Sequence, residues 1–270
     1  MTVPSPQPVQ GLGNVGSPVP RPVEQWWALA SRGLMQVIRS GEIVFSVIAP
    51  ALFALCFYLP LKSIMNASPG MNYAQYLMPI IALQSMGFAA TSAAMRSATD
   101  TDAGINRRFR TMPIHPAIPV LARTTASAML LVIALICAGI ASLLIGWRPV
   151  DGGQAAGLVV LTVTLGMLFV LVADATGAVA PSPEATSQIL GLPLLIFGML
   201  STGFVPETHF PEWIRPFVRN QPVSQFTQAM RALNDGTATW ASLMAPLLWM
   251  AGLAVLCVAL FVLARGKVSR

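Results

Sequence analysis

The sequence predicts an all-α polytopic membrane protein with six transmembrane helices. Three observations predict it. Hydrophobic residues make up 55% of the 270 residues and mean hydropathy is +0.68, above the roughly 45–50% apolar content of ordinary soluble domains. These residues are gathered into uninterrupted blocks of about twenty, the length needed to cross a bilayer as a helix. Charged residues are only 10% of the chain, and most of them fall between the blocks. The net charge of +6 does not point to nucleic acid, because basic residues of membrane proteins collect in loops and set orientation.

Residues 1–22 carry six prolines among Gly, Ser, Val and Gln, with Arg21 as the one charge. They lack the basic start and apolar centre of a signal peptide and read as a disordered cytoplasmic tail. Residues 23–42 turn helical. Trp27, Ala30, Leu34 and Ile38 share one face, and Gln25, Arg32, Gln36 and Arg39 the other, with the Trp26–Trp27 pair suited to a membrane interface. An amphipathic helix lying on the cytoplasmic surface is expected. The remainder, 43–270, is expected to form the transmembrane domain. Its spans are read at 43–61, 74–95, 120–146, 155–177, 187–205 and 241–264. Pro50, Pro79, Pro193 and Pro246 fall inside them, which membrane helices tolerate when neighbours satisfy the freed carbonyls.

With the N-terminus inside, eleven Lys and Arg residues lie in cytoplasmic segments and five outside, so both termini are expected in the cytoplasm of a plasma (inner) membrane. Residues 100–116, DTDAGINRRFRTMPIHP, then form a cytoplasmic loop. Burying Arg107, Arg108 and Arg110 at mid-bilayer would cost roughly 7–10 kcal/mol on the insertion scale. The outward loop 204–240 keeps Phe210, Trp213, Ile214, Phe217, Val218 and Phe226 although prolines divide it. A long loop of this kind is expected to fold back as one or two short re-entrant helices shielded by protein.

Catalytic chemistry is not visible. Cys56, Cys137 and Cys257 sit singly in apolar blocks, and His115 and His209 are isolated, so no metal site is expected. Inside the spans Asp174 and Arg123 are the ionisable residues, too few for an ion pathway. Gly266–Lys267 has Phe261 where a phosphate-binding loop needs its first glycine, and Val268 where Ser or Thr should stand. The chain itself is not expected to hydrolyse ATP.

Two motifs carry a resemblance. One is Gly104-Ile105-Asn106-Arg107-Arg108-Phe109-Arg110-Thr111-Met112-Pro113, between the second and third spans. The other is the outer loop with Pro206, Pro211, Trp213, Pro216, Asn220-Gln221-Pro222 and Arg231. In this the chain after residue 22 resembles the type-2 ABC exporter permeases, in their daunorubicin/doxorubicin-resistance branch. Arg107 stands where relatives often carry an acid, and Gln221 separates an Asn–Pro pair that many relatives keep adjacent.

The resemblance implies a permease subunit that works with a second permease, as homo- or heterodimer, and two copies of a soluble ATPase. The ATPase would bind the ATP and Mg, and the permease would hold no cofactor of its own. Residues 100–113 would be the coupling helix, with Gly104, Ile105, Arg107, Arg108, Phe109, Arg110, Met112 and Pro113 meeting the ATPase. Pro206, Pro211, Trp213, Phe217, Asn220, Pro222 and Arg231 would belong to the outer gate. Cargo would be a hydrophobic or amphipathic drug, or an envelope lipid such as a phthiocerol dimycocerosate. The alternative is a membrane-embedded enzyme acting on lipid-linked substrates, and a passive scaffold or channel is a third reading. Copurification of an ATPase separates the first from the other two.

Overall fold

Apolar runs this long have no solvent to satisfy their backbone groups, so they close their hydrogen bonds within helices. A computed structural model describes residues 21–65, 72–105, 108, 111, 115, 117–149 and 152–268, and among them there is no strand. The helices are α1 (Pro22–Arg39), α2 (Glu42–Met65), α3 (Tyr73–Asp102), α4 (Ala117–Leu144), α5 (Gly152–Val179), α6 (Pro183–Met199), α7 (Arg215–Asn220), α8 (Pro222–Asn234) and α9 (Trp240–Val268), with a 3₁₀ turn at Glu207–His209 between α6 and α7. Of these, α2, α3, α4, α5 and α9 are long and apolar enough to cross a membrane. Of the tail expected at 1–22, residues 1–20 lie outside the described residues, as does most of the loop 106–116, while Pro22 already opens α1.

Helix α3 is the axis of the bundle. Side chains from Tyr73 to Ala98 along it are buried, and it packs against α2, α4, α5, α6 and α8. The α3–α5 crossing is set by Gly177, where a Cβ would overlap the Ala94 carbonyl oxygen. A glycine at that point lets two backbones touch. By contrast, α9 turns Leu248, Val255, Val258, Val262 and Leu263 outward, and α2 does the same with Val44, Phe45 and Leu59. Outer faces of that kind belong in hydrocarbon.

Three sequence expectations change. First, the expected apolar face of α1 is divided, with Ala30 and Leu34 turned toward the bundle and Trp27 and Ile38 left exposed. Ala30 and Val37 are buried and Leu34 packs against Val37, Ala126 and Leu130, while Gly33 comes within reach of Ala126. The small residues Ala30 and Gly33 let α1 approach α4 closely, which turns the bulky ones away. Second, α3 runs on to Asp102, so the first residues of the expected coupling helix complete α3 instead. Gly104, at φ 69°, then breaks the helix in a conformation that glycine adopts freely.

Third, the fifth span starts earlier and ends sooner than 187–205. Ser182 caps α6 by accepting from the Ala185 amide at 3.2 Å, with Pro183 opening the helix. The helix stops at Met199 after 17 residues, about 25 Å of rise, short of the ~30 Å hydrocarbon thickness. Residues 200–204 turn away from the helix, with Ser201, Thr202 and Phe204 buried. Side chains of the outer loop hold them there.

Candidate functional sites at the two ends of the bundle

The outer end is built around the frayed terminus of α6. A helix C-terminus leaves carbonyls without partners, and here α8 supplies them. Gln221 Nε2 donates to the Leu200 carbonyl at 2.5 Å and to the Phe197 carbonyl at 3.1 Å. Ser224 Oγ accepts from the Thr202 amide at 3.0 Å. Arg231 Nη2 donates to the Thr202 and Gly203 carbonyls, each at 2.9 Å, and its Nε donates to the Tyr76 carbonyl at 3.1 Å. The guanidinium also stacks on the Tyr76 ring, 3.5 Å from its centroid, a cation–π geometry.

From α3, Tyr76 donates its hydroxyl to the Thr202 carbonyl at 2.5 Å and Tyr73 donates to that of Phe204 at 3.2 Å. Burial pulls the Arg231 pKa below its usual value, while Tyr76 pushes it back up. Arg231 thus ties α3, α6 and α8 into one clamp. The seam continues through Asn234, which accepts from Trp147 Nε1 at 2.8 Å, and through Gln154, which donates to the Gly236 carbonyl at 3.0 Å.

The other expected outer residues flank this clamp. Pro222 opens α8 and Asn220 ends α7, exposed. Pro206 precedes the 3₁₀ turn, and Pro211 starts the turn whose carbonyl accepts from Ile214 at 3.1 Å. Phe217 stacks on Phe197 of α6 with centroids 6.4 Å apart. Trp213 lies in the turn before α7 and is 80% exposed. The two therefore do not form one helical face.

Residues of α3, α5, α6, α8 and α9 line an open apolar cavity of about 370 Å³. Thr91, Phe169, Leu194, Phe226, Trp249 and Leu253 are among its walls. The Thr91 hydroxyl is spent on its own helix, donating to the Gly87 carbonyl at 2.9 Å. Among the described residues nothing charged lines it, so it suits hydrocarbon or aromatic rings.

The opposite end of α3 carries charge. Arg96 pairs with Glu42 at the start of α2 and donates through Nη2 to Ser127 Oγ of α4 at 2.9 Å. Arg123 on α4 faces Asp174 on α5, with Nη2 donating to Oδ2 at 2.9 Å. Its Nε lies 2.6 Å from Oδ1, off the hydrogen-bond direction. Two ion pairs thus join α2, α3, α4 and α5 at one level, where buried charges must be matched. Next to them, Ile105 lines a cleft with Leu29, Arg32 and Gln36 of α1.

Of the expected coupling residues, Gly104 makes the turn, Ile105 enters this cleft, and Arg108 is exposed with its carbonyl accepting from the Thr111 hydroxyl at 2.9 Å. Arg107, Phe109, Arg110, Met112 and Pro113 lie outside the described residues.

Sequence reading overlooked Gln221, Ser224 and Tyr76 at one end and the Glu42–Arg96 pair at the other. A signal for Gln221 existed: it is the residue that departs from the Asn–Pro pattern, and the structure uses it to cap α6. For Arg123 and Asp174 the signal was their depth, since charges inside apolar blocks need partners. Among the described residues, no group of three or more His, Cys, Asp or Glu is placed to hold a metal.

This all-helical bundle has known relatives. The chain is 38% identical over 226 residues, 81% of its length and 78% of the relative's, to a doxorubicin resistance ABC transporter permease protein, DrrB, of Mycobacterium tuberculosis. It is 28% identical over 218 residues, 80% of its length and 78% of the relative's, to a probable permease protein, DrrC, of that organism. A daunorubicin resistance ABC transporter permease protein, DrrB1, of Streptomyces coeruleorubidus is 29% identical over 223 residues, 80% of this chain and 74% of that one. Residues 57–263, running from inside α2 almost to the end of α9, match the ABC-2 family transporter protein family, and the chain is a multi-pass membrane protein of that family.

Proposed function

We propose that this chain is the permease subunit of an ATP-driven exporter that moves hydrophobic or amphipathic molecules outward across the plasma membrane. The observation that carries the proposal is the family match over residues 57–263. The apolar cavity of about 370 Å³ supports the cargo class, because it offers a bilayer-soluble molecule a wall without charge. Anthracyclines such as doxorubicin and daunorubicin, for which the relatives are named, fit that class, as does a phthiocerol dimycocerosate. The permease works as a homo- or heterodimer with two copies of a soluble ATPase, both termini are cytoplasmic, and α1 lies along the cytoplasmic surface. ATP and Mg belong to the ATPase. The segment Gly104–Pro113 is its docking site, and the Arg231 clamp holds the outer gate at the end of α6.

Doxorubicin efflux tests this. In a drug-sensitive host, the chain coexpressed with its ATPase lowers doxorubicin accumulation, and the tagged permease brings the ATPase down. Absence of a bound ATPase together with unchanged accumulation overturns the proposal. Purified alone, the chain shows no ATP hydrolysis.

A further inference from the structure

The cleft between α1, α3 and α4, beside the two ion pairs, holds charge that no ion pair among the described residues commits. Its walls include Arg32 and Gln36 of α1, Arg96 and Asp100 of α3, and Arg123 of α4. Arg96 is 8% exposed, and although two of its nitrogens are used, its buried Nε has no partner among the described residues. Arg32 and Asp100 belong to none of the ion pairs found among those residues. The nearby carboxylates Glu42 and Asp174 are already matched by Arg96 and Arg123. With those pairs closed, the cleft keeps one unpaired guanidinium, Arg32, the unpartnered Nε of Arg96 and one unpaired carboxylate, Asp100, which is a place for an anion that carries an ammonium beside it.

The depth of the cleft names the source. Helix α3 has 30 residues, about 45 Å of rise, against ~30 Å of hydrocarbon. Its last turns, with Arg96 and Asp100, therefore reach the headgroup layer. Helix α1 lies over the same end, with Trp26 and Trp27 in ring contact at 5.9 Å, and Trp favours that layer. Basic pockets between helices at the headgroup level bind phosphate-bearing lipids.

We propose that this cleft binds the headgroup of an amine-bearing zwitterionic phospholipid, its phosphate held by Arg32 and Arg96 and its ammonium by Asp100. The bound lipid bridges α1 to the bundle beside Ile105, where the loop to the ATPase begins. The proposal rests on the membrane placement given above. It does not depend on export.

The test is native mass spectrometry of the full chain in detergent, titrated separately with phosphatidylethanolamine, phosphatidylcholine, phosphatidylglycerol and inorganic phosphate. Phosphatidylethanolamine is retained best. Arg32→Gln leaves both ion pairs intact and weakens it about tenfold, the worth of one charge-assisted hydrogen bond. Asp100→Asn lowers phosphatidylethanolamine to the level of phosphatidylcholine and leaves phosphatidylcholine unchanged, because the choline nitrogen has no N–H to donate. Both variants melt like wild type, which shows that folding is not the cause. Equal retention of the two zwitterionic lipids by wild type, or no effect of either variant, overturns the proposal. Displacement of lipid by equimolar inorganic phosphate overturns it in favour of a soluble anion. Since the solubilised chain is read directly, failed export with intact lipid binding counts against the exporter reading alone.

Discussion

Arg231 does more at the outer end than its single charge suggests. Its fork reaches three carbonyls on two segments while its plane rests on Tyr76, and an ammonium supplies neither the fork nor the plane. Arg231→Lys therefore loses most of the clamp while keeping the charge. With hydrogen bonds from charged groups worth about 1.5–3 kcal/mol each, the melting temperature in detergent falls by several degrees, and Arg231→Lys resembles Arg231→Gln more than wild type. At the other end, Arg123→Leu strands the Asp174 carboxylate, which is 1% exposed. Breaking a buried pair by removing one partner costs about 3–5 kcal/mol, whereas replacing both with apolar groups is often neutral. The double variant Arg123→Leu with Asp174→Leu thus recovers most of the stability lost by the single one. Equal melting of single and double variants would show that the two residues do not act as a pair.

Among the elements, the helices that cross the membrane by their own hydropathy were legible from composition, because twenty apolar residues leave the backbone one option. Their ends were not. The C-terminal end of α3 reads as polar loop, DTDAG, but Arg96 and Asp100 keep it helical because Glu42, Ser127 and the α1 cleft surround them. Likewise α6 stops at Met199 although apolar sequence runs on through Phe204 and Val205. Gln221, Ser224 and Arg231, from 20 to 30 residues downstream, take over its terminal carbonyls and amides, and no local pattern announces partners that far away. Small residues make a sharper test at this scale. Gly177→Ala drives a methyl into the Ala94 carbonyl at the α3–α5 crossing, while Gly191 on α6 has nothing within 4 Å of an added Cβ. Gly177→Ala lowers the folded yield in membranes and the melting temperature, and Gly191→Ala leaves both unchanged. Size-exclusion profiles of the two purified variants check this.

For the whole molecule, the issue is whether the charged end of the bundle faces the ATPase. The two ion pairs, the cleft and the start of the loop at Gly104 all share that end, and Thr208 is exposed in the loop beyond the opposite end. A single cysteine at Thr208 in a Cys-free background therefore reacts with impermeant thiol reagents in intact cells, and one at Arg108 reacts only after lysis. Labelling of Arg108→Cys from outside would invert the molecule. On the proposed docking of this loop to the ATPase, Phe109 is the anchor and the arginines are the rim. An apolar side chain seated in a partner's groove typically costs ~2 kcal/mol or more when truncated, and a rim charge much less. Phe109→Ala accordingly reduces ATPase recovery and efflux far more than Arg107→Ala. Reversing both Arg108 and Arg110 to Glu also uncouples, by repulsion instead of lost packing. Membrane insertion survives throughout, because nine of the eleven inward basic residues remain even in the double variant. ATPase recovery on the tagged permease, normalised to its membrane level, is the measurement. If Phe109→Ala and the double reversal recover the ATPase as wild type does, the arginines of this loop only orient the chain, and the ATPase docks elsewhere.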